Sequence, residues 1–201
     1  MINSKKIVTA LALCFMANQA FAETDEMESM EEKSDSKGWQ ILAGNDDDFV
    51  FEPTISVMLG AADATDIEGD TLLSWGLEAS FNCPLLQPPT NKIRQQVSYF
   101  NYTDGDNSII SFEINPHYIV DLSPNFWLGG GPGVGYVRAD VDGKTAIMPA
   151  AQLGLSFHYN MESIFIGGEA RYQVTTEDDI GDQTDTGANN WRAALKLGYS
   201  F

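Results

Sequence analysis

The chain is poor in several things. It has two cysteines in 201 residues, Cys14 and Cys83. Cys14 falls in a leader read below, so Cys83 remains alone and no internal disulfide is available. It has two histidines, His117 and His158, which leaves little for general acid–base or metal chemistry. Basic residues are scarce: 11 Lys and Arg stand against 29 Asp and Glu, a net charge of −18. A surface that neutralises phosphates needs the opposite balance, so nucleic acid is excluded as a partner. No apolar run after residue 22 reaches the roughly 20 residues of a transmembrane helix.

What is present starts at the N-terminus. Lys5 and Lys6 precede an apolar run from Ile7 to about Ala17, and Ala20-Phe21-Ala22 follows. A positive start, a short apolar run and an A-x-A site make a signal peptide, cleaved after Ala22. Cys14 follows Leu13 inside the apolar run, the wrong setting for a lipid anchor. Export without a disulfide suits a bacterial envelope protein better than a small stapled secreted domain. Residues 23–53 read as a separate acidic segment in the periplasm, disordered over "ETDEMESMEEKSDSKG". A short helix near 39–43, or a helix over 39–48 reaching into the domain that follows, is left open by the sequence.

From residue 54 the period becomes two. Eight runs alternate apolar with polar or small residues: about 54–62, 71–82, 92–102, 108–120, 125–139, 145–159, 162–175 and 189–201. Most reach the about 9–11 residues of a tilted transmembrane strand, whereas globular strands run nearer about 5–6. The gaps also alternate. "DATDIEGD", "TDGDN", "DVDGK" and "TEDDIGDQTDTGA" follow the odd runs; "CPLLQPPTN", "DLSP" and "NM" follow the even ones. Long outer loops and short inner turns are the habit of membrane barrels. The expected fold is all-β, an eight-stranded antiparallel up-and-down transmembrane barrel over residues 54–201. It faces lipid with its apolar side and its own lumen with its polar side. Tyr118, Tyr159, Tyr172, Trp191, Tyr199 and Phe201 fall near run ends, where interfacial aromatics belong.

The last run, "NNWRAALKLGYSF", is strictly alternating and ends on an aromatic residue. With the leader and the eight runs, it resembles the small outer-membrane barrels of the OmpA/OmpX-like type. The resemblance covers residues 54–201. It implies the Gram-negative outer membrane, contact with its lipid and lipopolysaccharide, and assembly by the barrel-assembly machinery. Tyr199 and Phe201 would form part of the signal that machinery reads.

Four features bear on function. The polar side carries Glu78, Glu113 and Glu169 with Arg94, Arg171, Arg192 and Lys196. Buried charges must pair, and an eight-stranded barrel has room for little besides side chains. These seven therefore read as an ionic network filling the lumen. Neighbouring strands would pair Glu78 with Arg94, and Glu169 or Arg171 with Arg192 or Lys196. A gated polar channel is the alternative. Second, Gly129, Gly131, Gly133 and Gly135 share one side of the fifth run and make room for long side chains from adjacent strands, with a bulge expected at Pro132. Third, thirteen acids crowd the outer loops. They form a solvated surface, or a seat for divalent cations bridging to lipopolysaccharide phosphates, with Asp178, Asp179, Asp182 and Asp185 as the candidate ligands. Fourth, neither histidine has an evident Ser–acid partner set, so no catalytic residue and no cofactor is expected. The function expected is non-enzymatic: an envelope-structural or surface-interaction barrel acting through acidic loops. A transport or ligand-binding barrel of the OmpW-like kind is the alternative. A lipid A-modifying enzyme stands third.

Overall fold

The computed structural model describes residues 38–64, 72–104, 107–141, 143–180 and 183–201. The leader, residues 23–37 of the acidic segment, and Asp66, Glu68, Asp70, Asp106, Asp142 and Asp182 of the loops lie outside these residues.

Alternation gives strands, and eight of them close on themselves. They are β1 (Thr54–Ala64), β2 (Leu72–Asn82), β3 (Lys92–Asp104), β4 (Asn107–Ser123), β5 (Phe126–Val141), β6 (Lys144–Met161), β7 (Ile164–Thr175) and β8 (Asn190–Ser200). Each pairs antiparallel with its sequence neighbour, and β8 returns to β1, with Leu195 opposite Leu59 and Ser200 opposite Thr54. Closure leaves the barrel no open edge. Every expected run is a strand, and the expected bounds hold to within three residues. Residues 53 and 201 lie at one end, where the Phe201 amide donates to Pro53 O at 3.1 Å; this is called the near end, and its opposite the far end.

The wall is two-sided. Outward positions such as Leu73, Leu77, Leu153, Leu155, Leu195 and Leu197 are exposed, while the alternate positions are buried. No water-soluble barrel turns its leucines out in continuous rows. The small Gly-rich strand β5 lets its neighbours close in. A methyl on Gly133 would collide with the Asn115 and Gln152 side chains, and one on Gly131 would lie 2.1 Å from Pro116 O. So the β5 glycines admit Asn115, Gln152 and neighbouring backbone rather than arginines; the arginine that needs space, Arg171, lies over Gly154 on β6.

No bulge marks Pro132. The pairs Ile114–Val134 and Tyr118–Gly130 bracket it in unchanged register, which sets Pro116 of β4 opposite Pro132 of β5. Both lack an amide hydrogen, so the ladder is interrupted there without a shift. The one irregularity of this hairpin lies near its turn, between Asp121 and Ser123.

Two short elements sit outside the barrel. Gln40–Ile41 pairs with Leu86–Gln87 of the β2–β3 turn, and a single 3-10 turn follows at Ala43–Asn45. Residues 39–48 therefore form no helix inside the lumen. They pair with the β2–β3 turn at the near end. At the far end, Asp178–Ile180 and Gln183–Thr186 make a small hairpin in the β7–β8 connection.

Candidate functional site

The lumen is the best-defined polar site, and it has three layers. The first is an apolar cluster centred on β1 and β3–β6, while Gln173, Asn190 and Arg192 keep the far ends of β7 and β8 polar. Met58, Phe100, Ile109, Val137 and Met148 form one buried cluster with small alanines around them. The sequence reading missed this layer. Its signal was there: Phe100 shares the parity of Arg94, Gln96 and Ser98, and Met58 that of Thr54 and Ser56.

Beneath it lies the charged layer. Arg192 reaches from β8 to Glu113 on β4, halfway around the barrel, and grips the carboxylate with both terminal nitrogens, one of them 2.5 Å from Oε1. Its plane also stacks under the apolar layer, with Cζ 4.4 Å from the Phe100 ring centre. Arg171 crosses similarly from β7 to Gln96 on β3, while its own-strand neighbour Glu169 accepts from Nη2 at 3.0 Å. Lys196 bridges Glu78 at 2.6 Å and Glu169 at 2.8 Å, and Arg192 Nε adds a 3.3 Å contact to Glu169. Glu169 thus faces three cations. Glu113 also accepts from Ser111 at 2.8 Å and Ser98 at 3.2 Å. Six of the seven expected residues join this one network, all buried.

Arg94 does not. Expected beside Glu78, it lies four residues nearer the near end of β3, because Asn82 is its partner across the ladder and Ser98 is that of Glu78. It donates instead to Ser80 Oγ at 3.1 Å, Asn82 Oδ1 at 3.2 Å and Glu52 O at 2.9 Å. The Glu52 carboxylate stands 3.5 Å away and bonds Lys92 at 3.2 Å. Partial burial works to raise the Glu52 carboxyl. The charge and hydrogen bond of Lys92 outweigh it, with help from Asn82 and Arg94, and hold the group below its ordinary value.

The near half is closed by rings. His158 is stacked between Trp127 and Phe165, at centroid distances of 4.5 and 3.7 Å. His117 Nδ1 meets Ser156 Oγ at 2.9 Å, a partner the sequence did not reveal. A triad needs a carboxylate on the other ring nitrogen, and His117 Nε2 has none. Both residues are buried, so the pair is enclosed inside the wall.

Such a molecule turns a charged, braced interior inward and a leucine-rich wall outward. The fold is that of the small outer-membrane barrels. Neisserial surface protein A, in a crystal structure, matches with a TM-score of 0.52 at 15% identity, over 82% of this chain and 98% of that one. Ail of Yersinia pestis matches at 0.46 and 13% identity, over 75% and 97%; the N-terminal barrel of Pseudomonas aeruginosa OprF matches at 0.44 and 14%, over 76% and 100%. No family model matches the sequence, and no curated protein does. The likeness is one of architecture.

The outer-loop acids fall only partly within the described residues. Asp140 is held by Thr145 and Arg138. Of the four cation candidates, Asp178 opens the β7–β8 hairpin at the far end, and Asp182 lies outside the described residues. Among the described residues no group of three or more acids, histidines or cysteines gathers as metal ligands do. Tyr199 packs edge-on against Phe201 at the near end, 5.1 Å between ring centres.

Proposed function

We propose that this protein is a non-enzymatic barrel of the bacterial outer membrane, delivered by its leader and closed to solutes. Its work is structural or interactive, done at the far-end loops. One observation carries the reading: the lumen is braced across its diameter by Arg192–Glu113 and Arg171–Gln96 between an apolar layer and an aromatic one. A solute path would have to break buried ion pairs and push through both the apolar and the aromatic layer. Catalysis has no better footing, since both histidines are walled in.

With the near end in the periplasm, the acidic loops face outside, where lipopolysaccharide phosphates and divalent cations are the chemistry to meet. Assembly by the barrel machinery through Tyr199 and Phe201 belongs to the same reading. Single-channel recording in planar bilayers tests the closed lumen. A flat trace is expected. Discrete openings from the unmodified protein would overturn the reading and put transport first.

A further inference from the structure

At the near end the exposed apolar surface continues past the strands. Gln40–Ile41 pairs with Leu86–Gln87, and the bonding extends as the Leu42 amide donates to Leu85 O at 2.7 Å and the Gly44 amide to Pro84 O at 2.8 Å. The result is a small plate with two unlike faces. One face is packed: Ala43 and Gln87 are buried, and Gln87 Nε2 donates to both Cys83 O and Ile93 O at 2.9 Å. The other carries Trp39, Ile41 and, across from Ile41, Leu86, all exposed, with Ile41 at 80%; Leu42 and Leu85 beside them are exposed as well. Five large apolar side chains on one small plate are a poor match for water.

Two observations tie the plate to the lipid side of the wall rather than to the lumen mouth. Phe51 stacks on Phe81, the last outward residue of β2, with ring centres 4.6 Å apart. The lipid-facing surface therefore runs on unbroken into the segment that carries the plate. Cys83 continues the outward alternation of Ala79 and Phe81, yet it is buried, so something covers the outer side of the turn. Asp46, Asp47 and Asp48 join the plate to β1 and must stay hydrated. They limit how deep it can sit.

We infer that this plate is an interfacial foot: its apolar face lies in the headgroup–acyl boundary of the phospholipid leaflet at the near end. Interfacial segments of this kind bury apolar side chains shallowly, and tryptophan is at home at that depth. The occupant is the bilayer already around the barrel. The inference rests on the membrane-spanning reading.

The test uses protein taken from the outer membrane and placed in phosphatidylethanolamine–phosphatidylglycerol nanodiscs. A fluorophore is attached in the folded state to Ile41→Cys, with Leu155→Cys in mid-wall and Asp47→Cys in the acidic turn as references; Cys83, being buried, is spared. Lipids brominated near the headgroup are expected to quench the label at position 41 several-fold more than that at 47, and lipids brominated at mid-chain to quench that at 155, while aqueous iodide quenches the label at 47 most. Equal lipid quenching at 41 and 47, with 155 quenched, overturns the foot alone. A label at 41 hidden from lipid and iodide alike means that protein covers the patch, and also overturns it. Failure to quench 155 overturns the membrane-spanning reading itself.

Discussion

Glu169→Gln isolates what the charged layer contributes. The change keeps size and hydrogen-bonding shape but removes one charge from contact with Arg171, Lys196 and Arg192, at 3.0, 2.8 and 3.3 Å. Two of the three cations keep a carboxylate, since Arg192 holds Glu113 and Lys196 holds Glu78. Arg171 keeps only the Gln96 amide oxygen. Leaving a buried charge without its partner costs about 3–5 kcal/mol. Most of that loss should trace to Arg171. The double variant Glu169→Gln/Arg171→Met should then recover about half or more, a coupling of about 1–3 kcal/mol. Urea unfolding of the refolded protein in detergent micelles, followed by the gel-mobility shift between compact and unfolded forms, gives the four stabilities of the cycle. Glu169→Gln within about 0.5 kcal/mol of the parent, or strictly additive effects, would show that the braces are not held by charge.

Three more changes probe other regions. Glu52 has a depressed carboxyl, so its tie to Lys92 contributes fully above the ordinary value of 4.5 and is lost as pH falls through the lower folded value; a carbon NMR titration should place its midpoint below 4.5 and show it rise in Lys92→Met. Gly131→Ala drives a methyl against Pro116 O and should cost about 1–3 kcal/mol in urea midpoint, while Gly38→Ala, with open space around it, should cost nothing measurable. Phe201→Ala removes an exposed ring and should leave folded stability within about 0.5 kcal/mol while slowing assembly into the outer membrane, read as the fraction of newly made chain that becomes heat-modifiable.

The barrel was legible because its signal is local. A period of two over ten or more residues needs no knowledge of partners, and the closing strand from Asn190 to Ser200 could be read residue by residue. Register is not local. Glu78 and Arg94 are on adjacent strands, but four residues of offset along β3, at about 3.4 Å per residue, put them beyond contact. Braces between β8 and β4 were invisible for the same reason: adjacency in sequence order says nothing of what faces across a lumen. The apolar layer was legible by parity at Phe100 and Met58, yet the polar residues of the same face drew the reading toward a uniformly polar interior. The plate at residues 40–44 carries too few residues to show any period, and its partner strand of two residues lies inside the gap "CPLLQPPTN", read only as a turn.

The facing prolines of β4 and β5 give the wall a weak link. A closed sheet is a hoop, and each backbone hydrogen bond around it is a rivet. At Pro116 and Pro132 the rivets are absent, so the hoop is fastened there by the rows on either side. It can bear this because β4 and β5, at 17 and 16 residues, extend well beyond the gap in both directions. When the barrel flexes with the bilayer around it, this seam is where the wall can yield without the braces inside having to move.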